Sequence, residues 1–314
     1  MSYRVDAKND LFDLVIIGSG PAGITAGIYA KRANINVCVV EGSAPGGKIL
    51  KTGFIDNYPG FESIKGPDLA VNMFSHLNSL SVPFFYSKVS TVEKQDGYFL
   101  TYLEDGKTLI SKTVIVATGT TEKRLGIEGD EKYESKGISY CAICDGPLYK
   151  SRDVAVVGGG NGAIEEAMYL SGFCNKVYVI HRRDEFRADS IAVEKLKEKA
   201  NVEFILSSVV DSYIGDKTLT GLKVKSLKTN DVSEIKIDCL FPYIGANPNA
   251  SFLKPLNVLN DEGYIVVDNS MKTSVEGLFG AGDCVQKKIR QISTAVSDGT
   301  VAALAVNDYL KLHK

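Results

Sequence analysis

Leu14-Val15-Ile16-Ile17-Gly18-Ser19-Gly20-Pro21-Ala22-Gly23 is an apolar run closed by a glycine cluster, and Val154-Ala155-Val156-Val157-Gly158-Gly159-Gly160-Asn161-Gly162-Ala163 repeats the pattern later in the chain. Each apolar run reads as a buried strand, each glycine cluster as a tight turn, and the residues after it as the start of a helix. A second apolar strand then follows in both copies, Asn36-Val37-Cys38-Val39-Val40 in the first and Lys176-Val177-Tyr178-Val179-Ile180 in the second. A single glycine pattern is weak, because glycines also mark ordinary turns. Two copies, each placed between a strand and a helix, specify a pair of dinucleotide-binding units. The chemistry needs glycine there because backbone amides at a helix start must approach a pyrophosphate closely, where a side chain would obstruct.

The end of the second strand separates the two units. In the first copy it is Glu41, whose carboxylate can accept hydrogen bonds from both hydroxyls of an adenosine ribose and would repel a phosphate; that site suits FAD or NAD. In the second copy the corresponding position is His181, followed by Arg182, Arg183 and, one turn on, Arg187. Guanidinium groups bind phosphate through charge-assisted hydrogen bonds, so this site suits NADP. A solvated basic turn is the plainer alternative.

Neither unit closes without further strands. Tyr98 to Leu103 and Thr108 to Val116, ending in Ala117-Thr118-Gly119, supply the first; Val202 to Leu206, Leu222 to Leu227 and Ile235 to Tyr243 supply the second. The segment from Asn247 onward is short for a domain and lacks a nucleotide turn, so it is expected to return to the first. Within it Leu278 to Asp283 reads as a strand with a tight turn, and a helix begins near Gln291. The expected architecture is therefore α/β, with two Rossmann-like, doubly wound, three-layer nucleotide-binding domains. The NADP-type domain (120–245) is inserted into a discontinuous domain of the FAD or NAD type (1–119 and 246–314), with hinges at Thr118-Gly119-Thr120-Thr121 and Gly245-Ala246-Asn247-Pro248; the resemblance given below makes these the NADPH and FAD domains.

The 314 residues suit two domains, and 36 Lys and Arg against 38 Asp and Glu give a net charge of -2. That balance offers no broad basic field for nucleic acid or anionic lipid. No stretch approaches a membrane span and Met1 to Asp10 has no apolar signal core, so a cytoplasmic protein is the expectation. Six cysteines are too few for a disulfide scaffold, and Cys38, Cys174, Cys239 and Cys284 stand alone. Cys141 and Cys144 form the one spaced pair. Zinc would require a second pair or suitably spaced histidines, and His76, His181 and His313 do not provide them; reversible disulfide chemistry is favoured and no metal is expected. Asp145 follows directly, either as a proton donor or acceptor for a thiolate or as the turn former of Asp145-Gly146-Pro147.

Taken together and in this order, Gly18 to Gly23, Gly46-Gly47, Asn57-Tyr58-Pro59-Gly60, Cys141-Ala142-Ile143-Cys144-Asp145, Gly158 to Glu166, His181 to Arg187, Gly282-Asp283 and Arg290-Gln291 resemble the low-molecular-weight bacterial thioredoxin reductases over essentially the whole chain. The resemblance implies a homodimer with FAD and NADPH in each subunit and a redox disulfide in the NADPH domain, with thioredoxin as the acceptor. It places the FAD against the first glycine turn, Glu41, Gly42, Gly46, Gly47 and Lys48, with Asn57, Val89, Ala117, Thr118 and Gly119 as neighbours. Gly282, Asp283, Arg290, Gln291 and Ile292 complete that site. For NADPH it implies Gly160, Asn161, Gly162 and Ala163 at the pyrophosphate, His181, Arg182, Arg183 and Arg187 at the extra phosphate, and Ile244 and Gly245 at the domain edge. It also implies that reduced flavin attacks the disulfide at Cys144 and that the NADPH domain rotates between half-reactions. Ile143, Gly162 and Lys48 depart from the commonest family pattern, and none removes a required group. Another disulfide carrier, ferredoxin as donor, or a non-enzymatic redox sensor are the competing readings.

Overall fold

The computed structural model describes residues 11–52, 54–55 and 57–313. The chain folds as two compact units. One is built from the chain up to Lys51, from Tyr58–Thr121 and from Asn247 onward; the other from Glu122–Ala246 with the short stretch Thr52–Asn57. The latter stretch, and with it Asn57, groups with the second unit, whereas the sequence reading put it in the first segment of the other.

In the first unit a seven-stranded sheet runs in the order Phe84–Tyr86, Val37–Glu41, Leu11–Ile17, Thr108–Val116, Tyr98–Leu103, Val89–Gln95, and Leu278–Gly280 pairs with the far half of Thr108–Val116. The strands around Leu11–Ile17 are parallel, with Val15 opposite Cys38 on one side and Val114 on the other. Alternation along the central strand serves two cores. Leu14 and Ile16 pack with Ile24, Ala26, Ala302 and Val306 of the helices Pro21–Arg32 and Ile292–Leu312, while Val15 and Ile17 pack with Phe99, Val114, Leu253 and Ile265. A parallel strand covered on both faces has no polar side to show, which is why its sequence is an unbroken apolar run. The two helices approach closely because Gly299 faces Ala22: a methyl group at Gly299 would stand 2.2 Å from the Ala22 carbonyl oxygen.

The second unit has three layers. A four-stranded parallel sheet, Val202–Ile205, Lys176–Ile180, Asp153–Val157, Cys239–Pro242, lies between helices and a three-stranded antiparallel sheet, Ser208–Gly215, Leu219–Ser226, Val232–Lys236. Val154, Val156, Val177 and Val179 pack on Ile164, Ala167 and Leu170 of the helix Asn161–Ser171. Ala155, Val157 and Ile180 turn the other way, onto Leu219, Leu222 and Val224. Val202–Ile205 nearly matches the expected strand, and the Ile235 to Tyr243 run is divided. Ile237 N–H still donates to Thr220 in the antiparallel sheet (3.3 Å), and Asp238 N–H to Asp153 in the parallel one (2.7 Å), so the chain changes sheets between them.

The connections Thr120–Glu122 and Ala246–Pro248 pair with each other as a two-stranded ribbon. On the first unit's side, Asn249 N–H donates to Gly119 (3.0 Å), the Thr118 hydroxyl to the Asn249 carbonyl (2.6 Å) and the Thr121 hydroxyl to Asn249 Oδ1 (2.9 Å). On the second unit's side, Lys123 N–H donates to Gly245 (3.0 Å). Among the described residues no helix is long and apolar enough to cross a membrane.

Candidate active site

The first glycine turn leaves the end of the central strand. Gly18 N–H donates to Val40 (2.8 Å), and the Ala117 carbonyl oxygen stands 2.5 Å from where a Cβ of Gly18 would be. Gly23 is excluded from bearing a side chain by the Gly18 carbonyl at 1.9 Å. Gly20 differs: among the described residues no atom lies within 4 Å of its would-be Cβ. It also caps the helix Pro21–Arg32 without a side-chain hydrogen bond. Two glycines thus serve the close packing of turn, strand and helix, and the third keeps open space in front of a helix N-terminus, which fits a pyrophosphate.

Around this turn converge most of the residues expected there. Glu41 Oε2 accepts from the Ser19 amide (2.8 Å) and hydroxyl (2.7 Å), and Oε1 from the Ser43 amide (2.8 Å). Gly46 N–H donates to Ser19 (2.8 Å), and a side chain on Gly47 would come within 3.2 Å of Gly20 Cα. Gly42 lies against Lys88, and Val89 packs with the core under the central strand. Gly282 arrives from the other end of the chain; its would-be Cβ is 2.9 Å from the Ala22 methyl, and its N–H donates to Asp298 Oδ2 (2.9 Å). Asp298 is ion-paired with Lys287 at 2.5 Å, both side chains largely buried. Lys48 Nζ donates to Thr120 Oγ1 (2.6 Å) and stands 3.9 Å from Asp283 Oδ2, so it faces the connection rather than pointing outward. Arg290 Nε donates to the Asp283 carbonyl (3.3 Å) and its guanidinium covers the Tyr264 ring. Gln291, just before Ile292, forms a capping box with Thr294 that starts the last helix.

In the second unit Gly158 N–H donates to Ile180 (3.1 Å), and the Tyr243 carbonyl would meet a Gly158 Cβ at 2.4 Å. Ala163, buried, fills the position that glycine holds in the first copy. Gly160 again faces open space. Asn161 Oδ1 accepts from the Asp189 amide (2.8 Å), and Asp189 caps the helix Ser190–Lys197. His181 is turned into the fold. Its ring stacks on Phe186 (5.2 Å between centroids), its Nε2 lies 3.1 Å from the Glu185 carbonyl, and a Cβ on Gly159 would overlap it at 2.1 Å. Burial, aided by three nearby arginines, lowers its pKa, so the neutral imidazole supports the turn from beneath and presents no charge to a phosphate. The exposed cations are Arg182, Arg183 and Arg187, none of them in an ion pair among the described residues; the adjacent acid, Asp184, is taken by Lys228 (2.6 Å) and the Ser207 hydroxyl. Ile244 and Gly245 follow Tyr243 at the edge of this unit, half exposed and exposed to solvent.

Cys141 and Cys144 form a disulfide. Cys141 is the N-cap of the four-residue helix Ala142–Asp145 and Cys144 lies within it, the Cys141 sulfur accepting from Cys144 N–H (3.2 Å). Ser139 Oγ accepts from Cys141 N–H (3.2 Å) and donates to Asp145 Oδ2 (2.6 Å). Asp145 Oδ1 is buried without a hydrogen-bond partner among the described residues, and burial raises this carboxyl's pKa despite the opposing Ser139 bond. A disulfide, a half-buried acid with a raised pKa and a glycine turn before a helix in one unit are the parts of a thiol-based electron relay.

Residues 12–299 match the pyridine nucleotide-disulphide oxidoreductase family. The chain belongs to that family. This oxidoreductase is 46% identical over 301 residues to a thioredoxin reductase of Mycoplasma pneumoniae, covering 96% of each chain, and 48% identical over 299 residues to that of Mycoplasma genitalium, covering 95% of each. Among solved structures it superposes on the thioredoxin reductase of Streptococcus pyogenes with a TM-score of 0.90 at 42% identity, covering 97% of this chain and 100% of that one. The family implies a flavin and a pyridine nucleotide. Sequence reasoning missed Asn249, Asp298, Lys287, Ser139 and Tyr243, which hold the site residues in place; Asn249 and Tyr243 act through partners distant in sequence, and Ser139, Lys287 and Asp298, though nearer their partners, belong to no motif that marks them.

Proposed function

We propose that the chain is a thioredoxin reductase that binds FAD in its first unit and NADPH in its second, assembles as a homodimer, and reduces thioredoxin through Cys141 and Cys144. The reading is carried by one juxtaposition: the disulfide helix and a dinucleotide turn rimmed by unpaired arginines belong to the same folding unit. Glu41 at the first turn suits a ribose, and Arg182, Arg183 and Arg187 at the second suit the 2′-phosphate that distinguishes NADPH. The likeness to thioredoxin reductases supports thioredoxin as the acceptor.

Bound FAD supplies the two-electron chemistry that connects a nicotinamide to a disulfide. The protein's part is to present the sulfurs and manage protons. Two electrons break the Cys141–Cys144 bond and two protons complete the dithiol. Asp145 stands in the same helical turn, burial raises its pKa and so favours its taking up a proton, and Ser139 fixes that carboxyl while holding the Cys141 amide. One thiolate then attacks the thioredoxin disulfide, the second cleaves the mixed disulfide, and the Cys141–Cys144 bond re-forms as thioredoxin leaves in its dithiol form. The paired connections at 120–122 and 246–248 are placed to let the second unit swing between accepting and delivering electrons.

The test is NADPH-driven reduction of the cognate thioredoxin, with flavin absorbance followed anaerobically. NADPH is expected to bleach the flavin and oxidised thioredoxin to restore it. The double variant Arg182→Ala, Arg183→Ala is expected to raise the KM for NADPH by roughly tenfold to a hundredfold, the worth of a charged hydrogen bond or two, while leaving that for NADH in place. Absence of bleaching removes NADPH as donor; bleaching without thioredoxin reduction removes the acceptor.

A further inference from the structure

The dinucleotide turn and the disulfide helix of the second unit meet on one side chain. Tyr243 directly follows the strand Cys239–Pro242, and its N–H donates to Val157, the last residue before the glycines, at 2.7 Å. Its carbonyl oxygen lies under Gly158, at 2.4 Å from the would-be Cβ, and its Cδ1 stands 3.9 Å from the would-be Cβ of Gly162. The far end of the same ring reaches the redox pair: Tyr243 Oη accepts a hydrogen bond from Ala142 N–H at 2.8 Å. Ala142 is fully buried and is the first residue of the disulfide helix, between the cap Cys141 and Cys144.

Burial and the Glu166 carboxylate both hold the Tyr243 phenol in its protonated form. Its oxygen is therefore a fixed neutral acceptor over the working pH range. Any shift of the turn that tilts the ring changes the hydrogen bond at Ala142, and with it the stance of the helix that carries both sulfurs.

We propose that Tyr243 is a positioning residue through which occupation of the second glycine turn sets the reactivity of the Cys141–Cys144 pair. The proposal rests on the reading of that turn as a dinucleotide site. Where this coupling acts on the dithiol–disulfide equilibrium it is reciprocal, so the redox state of the pair also sets the affinity of the turn for its nucleotide. The arrangement lets a single unit report to its cysteines that a nucleotide is bound.

The probe is 2′-phospho-ADP-ribose, which carries the pyrophosphate and ribose phosphate but no nicotinamide and so exchanges no electrons. The flavin-loaded full-length protein is reduced with dithiothreitol, freed of reductant under anaerobic conditions, and alkylated with iodoacetamide. The rate at Cys141 and Cys144 is followed by mass spectrometry with and without the probe, and probe affinity is measured in parallel. Saturating probe is expected to change the alkylation rate about fivefold or more in the native protein, the low end of linkage between coupled sites. Tyr243→Phe keeps the ring beneath the glycines and removes only Oη; it is expected to bind the probe within about twofold of the native affinity and to show less than about a twofold rate change. Probe binding without a rate change in the native protein overturns the coupling. So does an undiminished change in Tyr243→Phe, the result that simple shielding of the sulfurs by the probe would give. Failure of the native protein to bind the probe removes the dinucleotide reading itself, and the coupling with it.

Discussion

Asp145 and Glu166 are two acids of the second unit that burial treats alike and chemistry treats differently. Asp145 adjoins the disulfide, has one oxygen bonded to Ser139 and the other unpartnered. Asp145→Asn keeps the hydrogen-bonding shape and removes the group that takes up and releases a proton. Stopped-flow measurement is expected to find thioredoxin reduction slowed on the order of a hundredfold, the lower range for a lost general acid, with flavin bleaching by NADPH retained. Glu166, half-buried on the helix Asn161–Ser171, has an oxygen without a partner, and burial and Glu165 raise its pKa from 4.5 to about 7. The folded protein then binds this proton more tightly than the unfolded chain does. The resulting stabilisation is complete below the unfolded value of 4.5 and is lost as pH rises through about 7. Glu166→Gln cannot ionise, so urea denaturation is expected to find it more stable than the native protein at pH 8 by on the order of 1–2 kcal/mol, a figure trimmed for partial solvent access, with no such gain at pH 4.

At the scale of elements, the helices Pro21–Arg32 and Ile292–Leu312 owe their close contact to Gly299. Gly299→Ala would place a methyl 2.2 Å from the Ala22 carbonyl, inside the first glycine turn, so the helices must part. The expected cost is about 1–3 kcal/mol, the range for an overpacked contact, together with a lower flavin content on purification; thermal denaturation and the flavin-to-protein absorbance ratio check both. The apolar strands before both glycine turns could be read from sequence, because a doubly covered parallel strand leaves an uninterrupted apolar run; Tyr98–Leu103, antiparallel to both neighbours, and Thr108–Val116 were readable from their aromatic and β-branched residues. Ser208–Gly215 escaped reading because it is half covered and its alternation is blurred by Asp211, Ser212 and Tyr213. The break near Ile237 was hidden for the opposite reason. Two strands of different sheets abut there, and apolarity continues across a change of hydrogen-bond partners. His181 was readable as the counterpart of Glu41, but its inward turn depends on the space left by Gly159 and on Phe186, which only the folded chain brings together.

For the molecule as a whole, each unit has its own pair of apolar cores, and none of the four clusters draws on both units. Calorimetry is therefore expected to resolve two unfolding transitions. 2′-Phospho-ADP-ribose at roughly a hundred times its Kd should stabilise one of them by about 2.7 kcal/mol and leave the other in place; a single transition that shifts as one would show that the units unfold together. Where the second unit leaves and re-enters the chain, Lys123 and Gly245 are joined by one backbone hydrogen bond. A segment whose two ends meet in this way is a detachable cassette. It could have been acquired whole, or be replaced by another, with only a short turn needed to close the host backbone behind it.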